Sequence, residues 1–137
     1  VILTPHPGEM ARLMGCGTGE VLRDRVGAAS GFAAAHRAVV VLKGAQTVVA
    51  PPDGAASFNA SGNPGMASGG SGDVLSGVIA SLLGQGLKPV AAARAGVFVH
   101  GDAGDRAAAE RGERGMTASD LAGRLPEALE ALARGRW

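Results

Sequence analysis

Residues 39–42 read Val-Val-Val-Leu, a run with no polar position on either face. Successive side chains of a strand point to opposite sides of its sheet, so an all-aliphatic run needs apolar cover on both. That demand points to an α/β layer fold, with helices covering a mainly parallel sheet. The composition agrees. With three Phe, one Trp and no Tyr, the core has to be built from Val, Leu, Ile and Ala, and alanine-rich helices suit close packing on such a sheet. At 137 residues the chain is long enough for one compact domain and too short for two.

Residues 1–4 read as a short buried strand that runs into Pro-His-Pro-Gly, with a short helix over 9–14. From Glu20 to about His36 the pattern fits one amphipathic helix. Residues 47–50 read as a second strand, 51–54 as a Pro and Asp-Gly turn, and 55–60 as a further short strand. Residues 61–72 carry five glycines and a proline and are expected to be irregular. Asp73 opens the next helix, whose apolar face is Val74, Leu75, Val78, Ile79, Leu82 and Leu83. Pro89 starts another helix, and Thr117 with Asp120 has the spacing of a capping box ahead of a final pair of short helices. The chain starts inside a strand and offers one convincing β-helix-β crossover, so residues 1–137 are expected to be part of a larger sheet.

The strongest chemical signal is Asn-Pro-Gly-Met-Ala-Ser-Gly-Gly-Ser-Gly-Asp at 63–73. Its glycines allow sharp turns that expose successive backbone amides at a helix N-terminus, where an anion such as phosphate is favoured. Asp73 has two readings: an acid that complements the helix dipole, or a base that takes a proton from a substrate hydroxyl while the amides hold phosphoryl oxygens. The glycines around it and the long helix after it favour the second.

A second signal is the end of the aliphatic strand at Lys43 and Gly44, since the carboxyl edge of an open α/β sheet is where ligands bind. Lys43 can equally be a solvated charge there, and the GxxxxGK[ST] phosphate-loop pattern is absent. The third signal is Thr-Pro-His-Pro-Gly-Glu at 4–9, where two prolines stiffen an extended loop around His6. His6 there is either a surface hydrogen-bonding residue or a substrate contact. His100 and Asp102 lie two apart on a helix and do not face each other, so they read as core or surface residues. Met66 reads as loop packing and the single Cys16 as a small filler.

The formal net charge of +1 gives no basic field for nucleic acid, and the dispersed arginines read as solvated helix faces. One cysteine excludes an internal disulfide. No run approaches the ~18 apolar residues of a membrane span. With no signal pattern at the N-terminus, cytoplasmic residence is the default expectation. No His, Cys and carboxylate set has metal-ligand spacing, so Mg2+ would arrive with nucleotide phosphates.

Taken together and in this order, TPHPGE at 4–9, LKGAQT at 42–47, NASGNPGMASGGSGDVLSG at 59–77, VFVHGDAGD at 97–105 and ASDL at 118–121 resemble the ADP/ATP-dependent NAD(P)H-hydrate dehydratases of the ribokinase-like superfamily. The resemblance implies a ribokinase-like three-layer α/β fold, of which this chain would be the C-terminal portion. It also implies that a nucleotide drives loss of water from NAD(P)H hydrate, with ADP converted to AMP. On the same ground Asp73 is the catalytic base and contacts the hydrate together with His6. Lys43, Gly44, Ala45, Gln46 and Thr47 contact ADP or ATP, and Gly70 and Gly72 lie at its phosphates. Mg2+ is the implied companion ion and a homo-oligomer, a tetramer in the family, the implied assembly. Two other readings fit the residues: a small-molecule kinase of the same superfamily, and a nucleotide-binding half-domain without turnover.

Overall fold

The computed structural model describes residues 1–135. They fall into two compact units, Val1–Asn59 with Lys88–Arg94, and Ala60–Leu87 with the chain from Ala95 onward.

The first unit holds a four-stranded sheet in the order β1 (Ile2–Leu3), β2 (Val39–Leu42), β3 (Val48–Ala50), β4 (Ser57–Phe58). β2 pairs in parallel with β1, Ile2 opposite Val39, and antiparallel with β3, Val40 opposite Ala50. β4 adds antiparallel to β3. All four residues of β2 are buried, as the aliphatic run requires. Met10, Val21, Ala29 and Ala33 form one core cluster with Val40, Leu42, Val48 and Ala50, and Cys16 packs against it as a filler.

The helices of this unit depart from the expected pattern in two places. The first, α1 (Pro7–Met14), starts two residues early because His6 caps it, so TPHPGE is only half a loop. The stretch 20–36 is two helices, α2 (Thr18–Arg23) and α3 (Arg25–His36). Asp24 breaks them apart at φ −142°, ψ 78°, and its carboxylate accepts the Gly27 amide at 2.7 Å to cap α3. An acid inside an amphipathic pattern is a helix start as readily as a helix interior, and here capping prevails.

In the second unit, α4 (Ser71–Gly84) begins at Ser71 rather than Asp73, which is the third residue of its first turn. The glycine-rich segment is not wholly irregular, since Pro64–Met66 forms a short 3-10 helix capped by the Asn63 side chain. Leu75, Val78, Ile79 and Leu82 are buried along α4, whereas Leu83 is exposed and leaves the expected apolar face. α5 (Pro89–Arg111), which belongs to the first unit up to Arg94 and to the second from Ala95, starts at its proline as expected. The Thr117–Asp120 capping box opens α6 (Ala118–Ala122), and α7 (Leu125–Ala133) follows. No helix among the described residues is long and apolar enough to cross a membrane.

Candidate functional site

The parallel pairing of β1 and β2 sends both chains out at the same sheet edge, and the Lys43 amide donates to the Pro5 carbonyl at 2.8 Å. The TPHPGE segment and the loop after β2 therefore run side by side. His6 is the N-cap of α1. Its Nδ1 accepts the amides of Gly8 at 3.1 Å and Glu9 at 3.2 Å, so the ring proton sits on Nε2. Glu9 closes the box by accepting the His6 amide at 2.7 Å. The same carboxylate lies 3.4 Å from His6 Nε2 and 3.5 Å from Lys43 Nζ. Its pKa is held below the ordinary glutamate value, first by the His6 backbone amide and then, against a desolvation effect, by the Lys43 charge.

Residues 43–47 make a loop that is exposed at 44–46 and half-buried at its ends, with two left-handed positions, Gly44 at φ 141° and Gln46 at φ 53°. Arg25, at the start of α3, holds this shape. Its guanidinium donates to the carbonyls of Ala45 at 2.6 Å, Leu42 at 3.2 Å and Gln46 at 3.4 Å. The Thr47 hydroxyl adds a bond to the Gly44 carbonyl at 3.1 Å. Arg25 is thus not the solvated helix-face cation expected of it, and neither is Arg94, which donates to Ser57 and the Ala55 carbonyl.

In the second unit the glycine loop enters α4 through Gly70, a left-handed N-cap at φ 87° that a residue with a Cβ would adopt only under strain. The amides of Asp73 and Val74 return to the Gly70 carbonyl at 3.0 and 3.1 Å, and that of Ser71 to Ser68 at 3.3 Å. No carbonyl or side chain among the described residues takes up the amides of Gly69, Gly70 and Gly72. Asp73 is exposed beside them, while Ser71 is buried. Three free amides and one carboxylate at the positive end of a 14-residue helix can hold an anion and accept a proton next to it.

α5 fixes this loop. His100 Nε2 lies 2.9 Å from the Ser71 carbonyl and 3.3 Å from its hydroxyl. Asp105 accepts the Gly62 amide at 2.8 Å and the Asn63 amide nitrogen at 2.9 Å, and Asn63 in turn accepts the Gly65 amide at 3.1 Å. Met66 packs onto the same helix, with its sulfur 2.3 Å from where a Cβ on Gly104 would stand. Asp102 accepts a bond from Arg106 Nε at 2.8 Å.

His6 and Lys43 to Thr47 thus share one edge of the first unit, and Gly70, Gly72 and Asp73 share the first turn of α4. Sequence reasoning missed the roles of Glu9, Arg25, Ser71, His100 and Asp105. Only Glu9 carried a local signal, its three-residue spacing from His6. Among the described residues no group of three or more His, Cys, Asp or Glu could hold a metal ion.

A family profile described as NAD(P)H-hydrate dehydratase matches residues 1–127. The chain belongs to that family. It is 54% identical over 132 residues to a bifunctional NAD(P)H-hydrate repair enzyme of Moorella thermoacetica, covering 96% of this chain and 25% of the relative. To the ADP-dependent (S)-NAD(P)H-hydrate dehydratase of Neisseria meningitidis it is 47% identical, over 96% of this chain and 44% of that protein. The crystal structure of the Bacillus subtilis ADP/ATP-dependent NAD(P)H-hydrate dehydratase, co-crystallized with ATP/Mg2+, matches with a TM-score of 0.90 at 38% identity, over 95% of this chain and 47% of that one. A ribokinase-like superfamily protein of Enterococcus faecalis matches at 0.81 and 30% identity, over 95% and 44% of the two chains. The fold of this family member is therefore ribokinase-like α/β, and the chain spans a quarter to under half of the length of these relatives.

Proposed function

We propose that the protein carrying this chain dehydrates NAD(P)H hydrate to NAD(P)H while converting ADP to AMP and phosphate. The observation that carries the reading is the exposed Asp73 carboxylate, set beside three unengaged glycine amides at the start of α4. Family membership supplies the substrate, and the ADP-dependent and ADP/ATP-dependent relatives supply the nucleotide.

In this mechanism Asp73 takes the proton of the hydrate hydroxyl, and the oxygen attacks the terminal phosphorus of ADP. The bond to the leaving AMP oxygen breaks, and the amides of Gly70 and Gly72 stabilise charge on the transferring group. The new carbon–oxygen–phosphate linkage then loses phosphate, a better leaving group than hydroxide, together with a proton from the neighbouring ring carbon. This restores the ring double bond. His6 presents its Nε2–H to the hydrate, and the loop Lys43 to Thr47, shaped by Arg25, receives the nucleotide. Mg2+ would enter with the nucleotide phosphates and would supply further stabilisation of their charge.

The test is Asp73→Asn in the full-length protein. Turnover, followed by the absorbance of the reduced nicotinamide and by phosphate release, should fall about 10²-fold or more, with nucleotide affinity nearly unchanged. A variant that turns over within a few-fold of the parent would remove Asp73 from the mechanism. Accumulation of a stable phosphate ester in place of free phosphate would make the protein a kinase.

A further inference from the structure

Glu9 stands between two groups that the proposed function gives to different ligands. His6 Nε2, assigned to the hydrate, lies 3.4 Å from one oxygen of Glu9, and Lys43 Nζ, assigned to the nucleotide, lies 3.5 Å from the other. The carboxylate cannot leave this position easily, because it also closes the α1 capping box on the His6 amide at 2.7 Å. Its side chain is 44% exposed, so its contact with Lys43 is worth little as a surface ion pair. The arrangement makes sense as positioning rather than as stabilisation.

We infer that Glu9 is a positioning residue through which hydrate binding and nucleotide binding oppose one another. The inference rests on the functional reading above. A nucleotide phosphate that draws Lys43 away leaves the carboxylate to the His6 amide and the Nε2–H of His6, and the loss of the cation strengthens its hold on that ring donor against the hydrate. A hydrate that takes the Nε2–H leaves the carboxylate to Lys43, which then yields less readily to phosphate. The two effects are one coupling free energy and must be equal in both directions. Glu9 carries its charge throughout the neutral range, since its carboxyl is held below the ordinary value.

Glu9→Gln isolates the charge, because glutamine also closes a capping box and keeps the α1 start. In the full-length protein, the affinity for NADPH hydrate is measured by calorimetry with and without a methylene-bridged ADP analogue that cannot transfer its terminal phosphate. The ratio of the two affinities should shift about fivefold toward joint binding in Glu9→Gln, a size typical of coupling between sites. In a Lys43→Met background the same substitution should shift nothing further. Glu20→Gln, which alters the comparable box at Gly17 on α2, should leave the ratio as in the parent. A general loosening of the fold would weaken both ligands and spare the ratio, and the melting temperature of each variant reads that separately. If both ligands bind the parent and Glu9→Gln leaves the ratio unchanged, the inference is overturned. If neither ligand binds the parent, the functional reading fails and takes the inference with it.

Discussion

His100 Nε2 donates to the carbonyl of Ser71 at 2.9 Å, which ties the first residue of α4 to the middle of α5. A carbonyl has no proton to give, so the His100 proton must sit on Nε2. The ring and Ser71 are both buried, and the two residues that follow Ser71 are the proposed phosphate contact Gly72 and the proposed base Asp73.

His100→Ala removes this bond and leaves a space, and should lower stability by about 1–3 kcal/mol. His100→Gln, which keeps a nitrogen donor at a similar reach, should recover a good part of that loss. Denaturant unfolding of the three proteins checks it. Equal stability for Ala and Gln would mean that packing, not the bond to Ser71, is what His100 contributes.

Asp105 holds the other end of the glycine loop with two bonds from one carboxylate, to the Gly62 amide and to Asn63. Asp105→Asn preserves shape and loses charge, and it turns an NH2 group toward one of two donors. Bonds to a charged acceptor are the stronger kind, so a loss of about 1.5–3 kcal/mol is expected from the same unfolding experiment. A change within ~0.5 kcal/mol, the range of a neutral surface substitution, would show that the clamp does not matter to stability.

The features legible in the sequence are those with a local cause. The aliphatic run of β2 demanded a buried strand, and the glycines of 61–72 announced a sharply turning loop ahead of α4, because each signal lies within the segment it describes. The split at Asp24 was hidden because an Asp fits both a helix interior and a cap, and here its carboxylate caps α3 at the Gly27 amide. The start of α1 was hidden because His6 takes a role that Ser, Thr, Asp or Asn usually fills. At the candidate site, Lys43 and Asp73 stood out by their motifs. Arg25 did not, since its hold on the loop after β2 joins residues 17 to 21 positions apart that only the folded sheet edge brings together. Ser71 and His100 are 29 positions apart for the same reason.

The lowered pKa of Glu9 makes a prediction about acid stability. The group binds its proton less readily in the folded chain, through the His6 amide and then Lys43, than in the unfolded one. Its contribution is therefore complete above the ordinary value of 4.5 and is lost as the pH falls through the lowered folded value. Glu9→Gln should lack this component, so its melting temperature should drop less than that of the parent between neutral pH and a pH below 4.5. The difference should be small because the group is well exposed. Parallel acid profiles for parent and variant would show that Glu9 is not linked to folding.

Two glycines inside helices should respond in opposite directions to the same substitution. By intrinsic preference, Gly→Ala in a helix interior stabilises by about 0.8–1 kcal/mol. Gly77, in α4, has no atom within 4 Å of where a Cβ would stand, so Gly77→Ala should realise most of that gain. At Gly101, in α5, a Cβ would stand 2.1 Å from the Ser61 hydroxyl and 2.7 Å from the Ser61 backbone carbonyl. A hydroxyl can rotate away, but the Ser61 backbone is held in the loop that Asp105 clamps one residue later at Gly62. Overpacking of this kind typically costs about 1–3 kcal/mol, which outweighs the helix preference. Gly101→Ala should therefore lower the melting temperature while Gly77→Ala raises it. If both variants are stabilised, the loop yields to the added methyl, and the close approach of Ser61 to α5 is not a constraint on the glycine loop.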